Sequence, residues 1–290
     1  MIYTYDFQIA DLLFRINSPF ALNDLHELTP FLTPEAANTP PNAQYTIKLL
    51  PSDWQPLGTK IMEDEHSTVY EWKSELHRYY FWNVFTRDRY VLLVRPRDPG
   101  SDQTIYLQEE TLERILPQFR LAPFLSPERV LLQNHAFILH ASLIDWQGQG
   151  ILFTGPSGIG KSTQAQLWAD LEGAQILNGD RTIIRYVDES FLAYGSPYAG
   201  TSGIYRNHSV PIRAIVLLSQ SENNHLRPLS PAVAFSKLLP QITALPWDAA
   251  FMDSLTQSVL DTVMQIPVYH LACRPNADAV ALLKKQLFPV

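Results

Sequence analysis

Cysteine is nearly absent from this sequence, since Cys273 is the one cysteine among 290 residues. A single cysteine cannot form an intramolecular disulfide, which excludes a disulfide-stapled fold and suits a reducing compartment. Long apolar runs are also missing, because no stretch approaches the roughly 20 apolar residues of a membrane span. The N-terminal segment lacks the basic region and apolar run of a secretory signal. We therefore expect a cytoplasmic protein with no membrane partner.

Basic residues are fewer than acidic residues in this chain. The chain has 22 Lys and Arg residues against 29 Asp and Glu residues, and its formal net charge is −7. A general nucleic-acid-coating role needs a basic surface, so we expect no nucleic-acid partner. Hydrophobic residues make up 46% and charged residues 18%, a composition typical of globular domains. Composition leaves the existence of a homo-oligomer open.

Glycine is scarce outside one window of the chain. Of the twelve glycines, ten lie between Gly148 and Gly203. Glycine is used where the backbone adopts unusual angles or approaches a ligand closely. The distribution therefore predicts that the functional site lies in this window.

Residues 1–130 are predicted to form a β-rich N-terminal domain that recognises the substrate. Its strand-like segments are rich in Tyr, Phe, Val, Ile and Thr, with a proline-rich loop at residues 29–42 and a helical pattern at residues 111–125. The aromatic segment YYFWNVF at residues 79–85 is best interpreted as a buried strand. The alternative is an exposed sheet edge that binds a peptide by strand addition.

Residues 131–290 are predicted to form the catalytic domain. Apolar strand segments alternate here with helical patterns, which favours an α/β domain within a chain that is α+β overall. Residues 137–146 and 150–155 are expected to be two adjacent strands around a turn at residues 148–150. A helix is expected to follow and to end at Gly173.

The second of these strands leads into a complete G-x-x-x-x-G-K-[ST] motif, which starts at Gly155. Successive N–H groups of such a loop point into one concavity that binds phosphate oxygens, and the following helix dipole adds to the attraction. Lys161 is placed to reach the β- and γ-phosphates, and the Ser162 hydroxyl to coordinate Mg²⁺. The predicted cofactors are ATP and Mg²⁺, with a nucleotide-binding set of Gly155, Pro156, Ser157, Gly158, Ile159, Gly160, Lys161, Ser162 and Thr163.

A P-loop enzyme also needs a carboxylate near the metal. The apolar run at residues 214–218 ends in Ser219 and does not supply one. Residues 176–180, ILNGD, end in Asp180 soon after the P-loop helix, so Ser162 and Asp180 are the candidate metal ligands. The alternative for Asp180 is a turn-forming residue behind Gly179.

Taken together, HASLIDW from His140, the P-loop and ILNGDRTI resemble the core of the HPr kinase/phosphorylase family, which is related to phosphoenolpyruvate carboxykinases. The resemblance covers about 45 residues and implies that fold for the catalytic domain. It implies catalytic roles for Lys161, for Asp180 and for His140 near the γ-phosphate. The first aspartate of the family's Asp-Asp pair is Gly179 here, and no clear copy of the family's HPr-binding signature is present.

The chain looks closer to a branch of peptide serine kinases found beside bacterial peptide-modification genes. The segment YGSPYAGTSGIYRN, residues 194–207, is the part that suggests this branch. Arg206 lies at its end and is a candidate to neutralise charge on the transferred phosphoryl group, or else a surface arginine. Arg181 is more simply interpreted as the partner of a carboxylate. The histidines show no zinc-ligand spacing.

Three functions compete. The first is a kinase that acts on Ser or Thr of a peptide or small protein, which would be the acceptor partner. The second is a small-molecule hydroxyl kinase on the same core. The third is a nucleotide-binding regulatory module without transfer chemistry, which the replacement of an acid by Gly179 favours.

Overall fold

The computed structural model of the chain describes residues 1–22, 25–33, 39–50, 58–63, 67–72, 77–83, 90–96, 103–108 and 125–289. The chain divides into two compact units, Met1–Val130 and Leu131–Val290. Helices and two large sheets together make it a mixed α/β protein. Within the described ranges, no helix combines the length and apolarity needed to cross a membrane.

The first unit contains one eight-stranded sheet with the spatial order β1-β2-β3-β8-β7-β6-β5-β4. Its strands are β1 (Tyr3–Ile9), β2 (Leu12–Ser18), β3 (Ala43–Leu50), β4 (Thr59–Glu63), β5 (Ser67–Trp72), β6 (His77–Asn83), β7 (Tyr90–Pro96) and β8 (Gln103–Gln108). β6 carries most of the aromatic segment and pairs with β5 on one side and β7 on the other. The proposed exposed edge at residues 79–85 is therefore wrong for the part that β6 covers.

One face of β1, β2, β3 and β8 is buried because apolar residues alternate along these strands. The buried side chains include Phe7, Ile9, Phe14, Ile16, Tyr45, Ile47, Ile105 and Leu107. The predicted loop at residues 29–42 is partly wrong, since a 3-10 helix, His26–Phe31, extends into it and buries Phe31. The helical pattern at residues 111–125 lies outside the described residues except for Leu125.

The second unit is built on a second sheet. Its strands are β9 (Ala136–Trp146), β10 (Gln149–Thr154), β11 (Gln175–Asn178), β12 (Arg181–Val187), β13 (Ser190–Tyr194), β14 (Ser209–Gln220), β15 (His225–Pro228) and β16 (Val268–Cys273). β10 runs parallel to β14, and β14 runs parallel to β16. The turn between β9 and β10 is formed by Gln147 and Gly148, which both have positive φ, rather than by residues 148–150 as expected.

Five α-helices complete the described part of the chain: α1 (Glu128–Gln133), α2 (Lys161–Glu172), α3 (Pro231–Leu238), α4 (Ala249–Gln265) and α5 (Ala277–Leu287). α2 ends at Gly173, as predicted; this residue adopts the left-handed conformation at the C-cap. Asp248 and Asn276 cap α4 and α5 by accepting backbone N–H groups. Ser126, which precedes α1, has a φ of 37°, and its hydroxyl donates to the Glu128 carboxylate.

Two long strands close part of the second sheet on itself. β9 pairs with β12 through residues 136–140 and with β10 through residues 141–146. β14 pairs with β13 through residues 209–211 and with β10 through the stretch that follows. The strands β10, β9, β12, β13 and β14 therefore form a continuous ring of pairings. Along β9, residues up to His140 pair with β12, and residues from Ala141 onward pair with β10.

Apolar side chains pack against this sheet in two clusters. One cluster joins β9, β14 and the helices α3 and α4, and its members include Leu139, Ile215, Leu238 and Leu255. The other joins β10, α2 and α5 around Trp168, which has 0% exposure. Packing from this second cluster fixes α2, so the residues at its N-terminus hold a defined position beside the end of β10.

Candidate functional site

The glycine-rich loop, residues 155–160, connects the end of β10 to the start of α2. Gly160 is the N-cap of α2 and has a φ of 110°, a left-handed conformation that only glycine adopts at little cost. No side chain caps this helix end. The first N–H groups of α2 therefore remain available to an anion, and the helix dipole makes this end attractive to phosphate.

Lys161, the first residue of α2, is folded back onto the loop. Its ammonium Nζ donates to the carbonyl oxygens of Gly155 at 3.0 Å and Pro156 at 3.2 Å. The residue is only 7% exposed. Burial lowers the pKa of Lys161, and the nearby negative charge of Asp180 partly opposes this effect. The two carbonyls hold the ammonium group at the mouth of the loop, where an anionic ligand would replace them as its partner.

Asp180 lies across from His140 at the point where β9 changes its pairing partner. The Asp180 Oδ1 atom is 2.8 Å from His140 Nε2, and Oδ2 is 3.7 Å from Arg181 Nε. The hydrogen bond from His140 holds the pKa of Asp180 below its ordinary value, although partial burial works in the opposite direction. The interpretation of Arg181 as the partner of a carboxylate is confirmed.

Backbone pairing brings these groups to the loop. His140 stands opposite Arg181 in the β9–β12 pair, and its carbonyl oxygen accepts the Thr154 hydroxyl at 2.8 Å. Since Thr154 is the last residue of β10, the glycine-rich loop begins beside His140 and Asp180. The predicted placement of two adjacent strands between His140 and Gly155 is confirmed.

Ser162 and Asp180 offer the oxygen atoms that Mg²⁺ prefers. The exposed Ser162 hydroxyl lies 3.5 Å from the carbonyl oxygen of Gly179, which also accepts the Ser142 hydroxyl at 2.8 Å. No group of three or more His, Cys, Asp or Glu side chains within the described ranges forms a metal-binding cluster. Such a donor set fits Mg²⁺, which usually takes one or two protein ligands and completes its shell with water and phosphate oxygens.

The orientation of Asp180 is set by Asn178, a residue that the sequence reasoning missed. The Asn178 Oδ1 atom accepts the N–H groups of Asp180 at 2.9 Å and Arg181 at 2.8 Å. Its Nδ2 group donates to the Ser196 carbonyl at 3.0 Å, and the side chain is fully buried. The turn-forming residue is therefore Asn178, while the Asp180 carboxylate faces His140. An Asn-Gly-Asp sequence is itself a signal for such a turn.

Gly179 is a point of very close approach. A Cβ atom at this position would lie 1.8 Å from the Ser202 Oγ atom and 2.4 Å from the Ser202 Cβ atom. A Cβ at Gly200 would likewise lie within 2.8 Å of the Asp180 side chain. The segment 195–206 therefore packs directly against the turn that carries Asp180. The space that an aspartate at position 179 would need is already filled by Ser202.

The other polar residues of this segment serve the backbone. Ser196 is fully buried and donates to the Arg181 carbonyl oxygen, while Ser202 donates to the Ala199 carbonyl at 2.7 Å. Arg206 is exposed, and its guanidinium donates to the Ile176 carbonyl at 3.2 Å. The contacts of Arg206 are thus with β11, and the structure does not bring it together with Lys161, Ser162 and Asp180.

A cleft of about 540 Å³ opens beside the loop. Its walls are residues 158–160 and 163–164 on one side and, on the other, the last residues of β14 and β16 together with the residues that follow them. Gln164, Cys273 and Arg274 line it, and no sequence pattern indicated that they would meet. Gln164 and Cys273 are 109 positions apart, so no local pattern marks them as neighbours.

A family model described as "SynChlorMet cassette protein ScmC" matches residues 124–276 of the chain. No curated protein is similar enough in sequence to count as a relative. Among solved structures, the chain is similar to the Hpr(Ser) kinase/phosphatase from Coxiella burnetii at 15% identity, over 52% of this chain and 87% of that chain. The TM-score of 0.31 for this pair is too low to establish a shared fold.

Proposed function

We propose that this chain, which belongs to the SynChlorMet cassette protein ScmC family, is an ATP- and Mg²⁺-dependent kinase. The acceptor would be a Ser or Thr hydroxyl of a peptide or small protein. The observation that carries the proposal is the position of the Asp180 carboxylate. Its Oδ1 atom lies 2.8 Å from His140 Nε2, beside the start of a complete P-loop motif. An aspartate that only formed a turn would need neither the hydrogen bond to His140 nor a position beside the loop.

The loop and Lys161 would hold the donor. Backbone N–H groups of residues 155–163 would donate to the phosphate oxygens, since no side chain of the protein competes for the N-terminus of α2. Lys161 would exchange its two carbonyl partners for phosphate oxygens. Phosphate oxygens are negatively charged and accept stronger hydrogen bonds than carbonyl oxygens do. The exchange of partners would therefore stabilise the nucleotide-bound state.

Asp180 would orient the acceptor hydroxyl and receive its proton. As the new O–P bond forms, the bond between the γ-phosphorus and the β,γ-bridging oxygen breaks, and the bridging oxygen leaves on the diphosphate. The lowered pKa of Asp180 keeps it ionised at neutral pH but makes it a weak base. This suits phosphoryl transfer, where the transition state is loose and positioning contributes more than proton removal.

Ser162 and Asp180 would hold the metal ion. When bound, Mg²⁺ supplies positive charge to the phosphate oxygens. His140 would keep the Asp180 carboxylate in place through the hydrogen bond to Oδ1, while Oδ2, which lies 3.7 Å from Arg181 Nε, would take the metal ion as a further partner. Arg206 has no described contact with this cluster, and we assign it no step in the transfer.

Membership of a cassette-protein family is consistent with the peptide-modification branch that the sequence resembles, which supports a peptide or small-protein acceptor. Residues 1–130 would recognise that acceptor. The absence of a carboxylate at position 179 is the argument for a regulatory module. The packing of Ser202 weakens this argument, because it supplies a steric reason for glycine at that position.

The proposal is tested by incubating the protein with γ-labelled ATP, Mg²⁺ and a broad panel of serine- and threonine-containing peptides and small proteins. We expect Asp180→Asn to lower transfer by about 10²–10⁴-fold, the usual contribution of a positioned acid or base. Asp170→Asn is the matched control, because Asp170 is an exposed residue of α2 that contacts Gln166 on the same helix. Full activity in Asp180→Asn would overturn the role of Asp180. ATP binding without transfer to any member of the panel would favour the regulatory module.

A further inference from the structure

Four basic side chains gather where β15 and β16 meet the end of α3. His225 and Arg227 lie on β15, His270 lies on β16, and Lys237 lies in the last turn of α3. Arg227 stands opposite His270 in the β15–β16 pair, and its Nε group donates to His270 Nδ1 at 3.4 Å. The charges of the other three residues all act on the His270 ring. We call these four residues the basic cluster.

No carboxylate balances the basic cluster within the part of the chain that the structure describes. Neither Arg227 nor Lys237 forms an ion pair with a described Asp or Glu side chain. Like charges at neighbouring positions repel each other, and the chain as a whole is acidic, with a formal net charge of −7. An unbalanced group of cations on an acidic protein is typical of a surface that binds an anionic partner.

The hydrogen bonds around His270 leave donors available to a ligand. Because His270 Nδ1 accepts from Arg227, the ring carries its proton on Nε2 and donates it to the Ser219 Oγ atom at 3.0 Å. Burial, together with the charges of Arg227, Lys237 and His225, lowers the pKa of His270, so the ring is neutral at neutral pH, as this arrangement requires. The Ser219 hydroxyl proton, the Arg227 guanidinium and the Lys237 ammonium are then donors. Carboxylates, which only accept hydrogen bonds, match such a set.

The basic cluster and the cleft lie on opposite faces of the sheet. Leu218 and Gln220 line the cleft, and side chains alternate along a strand, so Ser219 points to the other face. His270 lies on that face with Ser219, to which it is hydrogen bonded. A ligand beside the glycine-rich loop and an anion at the basic cluster can therefore bind at the same time.

Strand pairing relates the basic cluster to the start of the glycine-rich loop. Thr154 pairs with Leu217, Leu217 pairs with His270, and His270 pairs with Arg227, so these residues form one row across four strands. Neighbouring strands are about 4.8 Å apart, which places the His270 backbone roughly 10 Å from Thr154. About six extended residues span roughly 20 Å. One acceptor chain can therefore reach both the loop and the basic cluster around the ends of the strands.

We propose that the basic cluster docks a run of Asp or Glu residues in the acceptor peptide, at a distance from the reacting hydroxyl. The inference rests on the proposed function, and this contact would add to the recognition by residues 1–130. The edge of β15 is a poor template for strand addition, because Pro228 has no N–H group. The acidic run would therefore bind through side chains, with its carboxylates accepting from Arg227, Lys237 and the Ser219 hydroxyl.

Fluorescence anisotropy with a fluorescein-labelled hexaglutamate peptide tests the docking directly. We expect the full-length protein to bind this peptide at low ionic strength, although both are acidic, and to bind labelled hexaglutamine at least tenfold more weakly. Arg227→Gln and Lys237→Gln, which both alter exposed side chains, should each weaken hexaglutamate binding about three- to tenfold. Lys285→Gln is the matched control, because Lys285 is an exposed residue near the end of α5, outside the basic cluster. Circular dichroism checks that each variant is folded.

Transfer kinetics test whether the docked segment belongs to the acceptor. The best serine peptide of the panel is compared with versions that carry a run of glutamates about six residues before or after the serine. We expect the run, on at least one side, to lower KM at least fivefold with little change in kcat, because docking binds the ground state and the transition state equally. Arg227→Gln should remove most of this advantage and leave the KM of the unmodified peptide unchanged.

The outcomes separate the two proposals. If peptides are phosphorylated but glutamates leave KM unchanged, or if Lys285→Gln weakens hexaglutamate binding as much as Arg227→Gln does, the docking proposal is overturned and the kinase proposal stands. The docking proposal is also overturned if inorganic phosphate binds the basic cluster more tightly than hexaglutamate, because the site would then hold single anions. If hexaglutamate binds through Arg227 but no peptide is phosphorylated, the basic cluster keeps its acid-binding role and the kinase proposal fails.

Discussion

At the site, contacts with neighbouring side chains explain why a given residue is present better than its own chemistry does. Gly179 stands where the resembling family has an aspartate, and by itself that suggests a lost catalytic group. In the structure, the Ser202 side chain occupies the space beside Gly179, and Gly200 lies against Asp180. The packing of Ser202 therefore explains why position 179 is a glycine.

Gly179→Asp is expected to destabilise the protein by about 1–3 kcal/mol, because its Cβ would overlap Ser202 and force the turn or the loop segment to move. Transfer activity should not rise. Adding Ser202→Gly should recover part of the lost stability, measured by urea denaturation with Ser202→Gly alone as the control. A stable and more active Gly179→Asp variant would show that position 179 has simply lost its acid.

Lys161 predicts a distinctive pH dependence of nucleotide binding. In the proposed role, the protonated ammonium group binds phosphate, and burial lowers its pKa below the ordinary value of 10.5. As the pH rises through this lowered pKa, the group loses its charge, so ATP affinity should fall at a lower pH than an ordinary lysine would predict. Calorimetry between pH 7 and 10 measures this effect. Lys161→Arg, which keeps its charge, should show a flatter profile, and identical profiles would contradict the assignment.

The sequence identifies some of these residues and not others. Lys161 and Ser162 follow from a local motif, and Asp180 from a short strand that ends in a carboxylate. Ser202 and Cys273 carry no local signal, because long-range packing alone brings them to the turn and to the cleft. Sequence spacing also did not reveal that Arg206 contacts β11 instead of the carboxylate cluster.

Helix α2 links the hydrophobic core to the binding loop. Trp168 on its buried face packs edge-on against Trp146, with ring centroids 5.8 Å apart. The indole Nε1 of Trp168 has no hydrogen-bond partner. The tryptophan therefore stabilises the helix through its buried area and packing, while its N–H group contributes nothing favourable.

Trp168→Ala is expected to cost about 3–5 kcal/mol of unfolding free energy because it opens a large cavity under α2. Trp168→Phe should cost much less, since the ring remains and an unpaired buried donor is removed. Urea denaturation measures both, with Leu171→Ala, a half-exposed position on the same helix, as the control. Equal costs for the alanine and phenylalanine variants would contradict this view of the packing.

The elements themselves were partly predictable from local patterns. Glycine after the last helical residue predicted the end of α2, and alternating or continuous apolar runs predicted most strands. β4, β13 and β15 were missed, and the turn between β9 and β10 was placed one residue too late. β9 changes its pairing partner from β12 to β10 after His140. Contacts between strands distant in sequence determine this change, so the local sequence of β9 does not predict it.

At the scale of the whole molecule, every residue of the proposed transfer site and of the cleft belongs to the unit Leu131–Val290. Local sequence patterns along the chain predicted a mixture of helices and strands, and the structure agrees. The ring of pairings from β10 through β14 was not predictable, because it depends on contacts between strands far apart in sequence.

A fragment of residues 125–290 is expected to fold and to bind Mg²⁺-ATP with the affinity of the full chain. It should lose transfer to peptides, because residues 1–130 are proposed to recognise the acceptor. Circular dichroism checks the fold of the fragment, calorimetry its binding and labelled ATP its activity. A folded fragment that cannot bind nucleotide would show that the site needs residues of the first unit.

Calorimetry of the full-length protein with ATP and Mg²⁺ tests the central claim most directly, with Lys161→Ala measured alongside. We expect saturable binding of one nucleotide per chain, weakened roughly 10- to 100-fold in the variant by the loss of a charged hydrogen-bond donor. If folded wild-type protein takes up no purine triphosphate in the presence of magnesium, the proposed kinase function is contradicted.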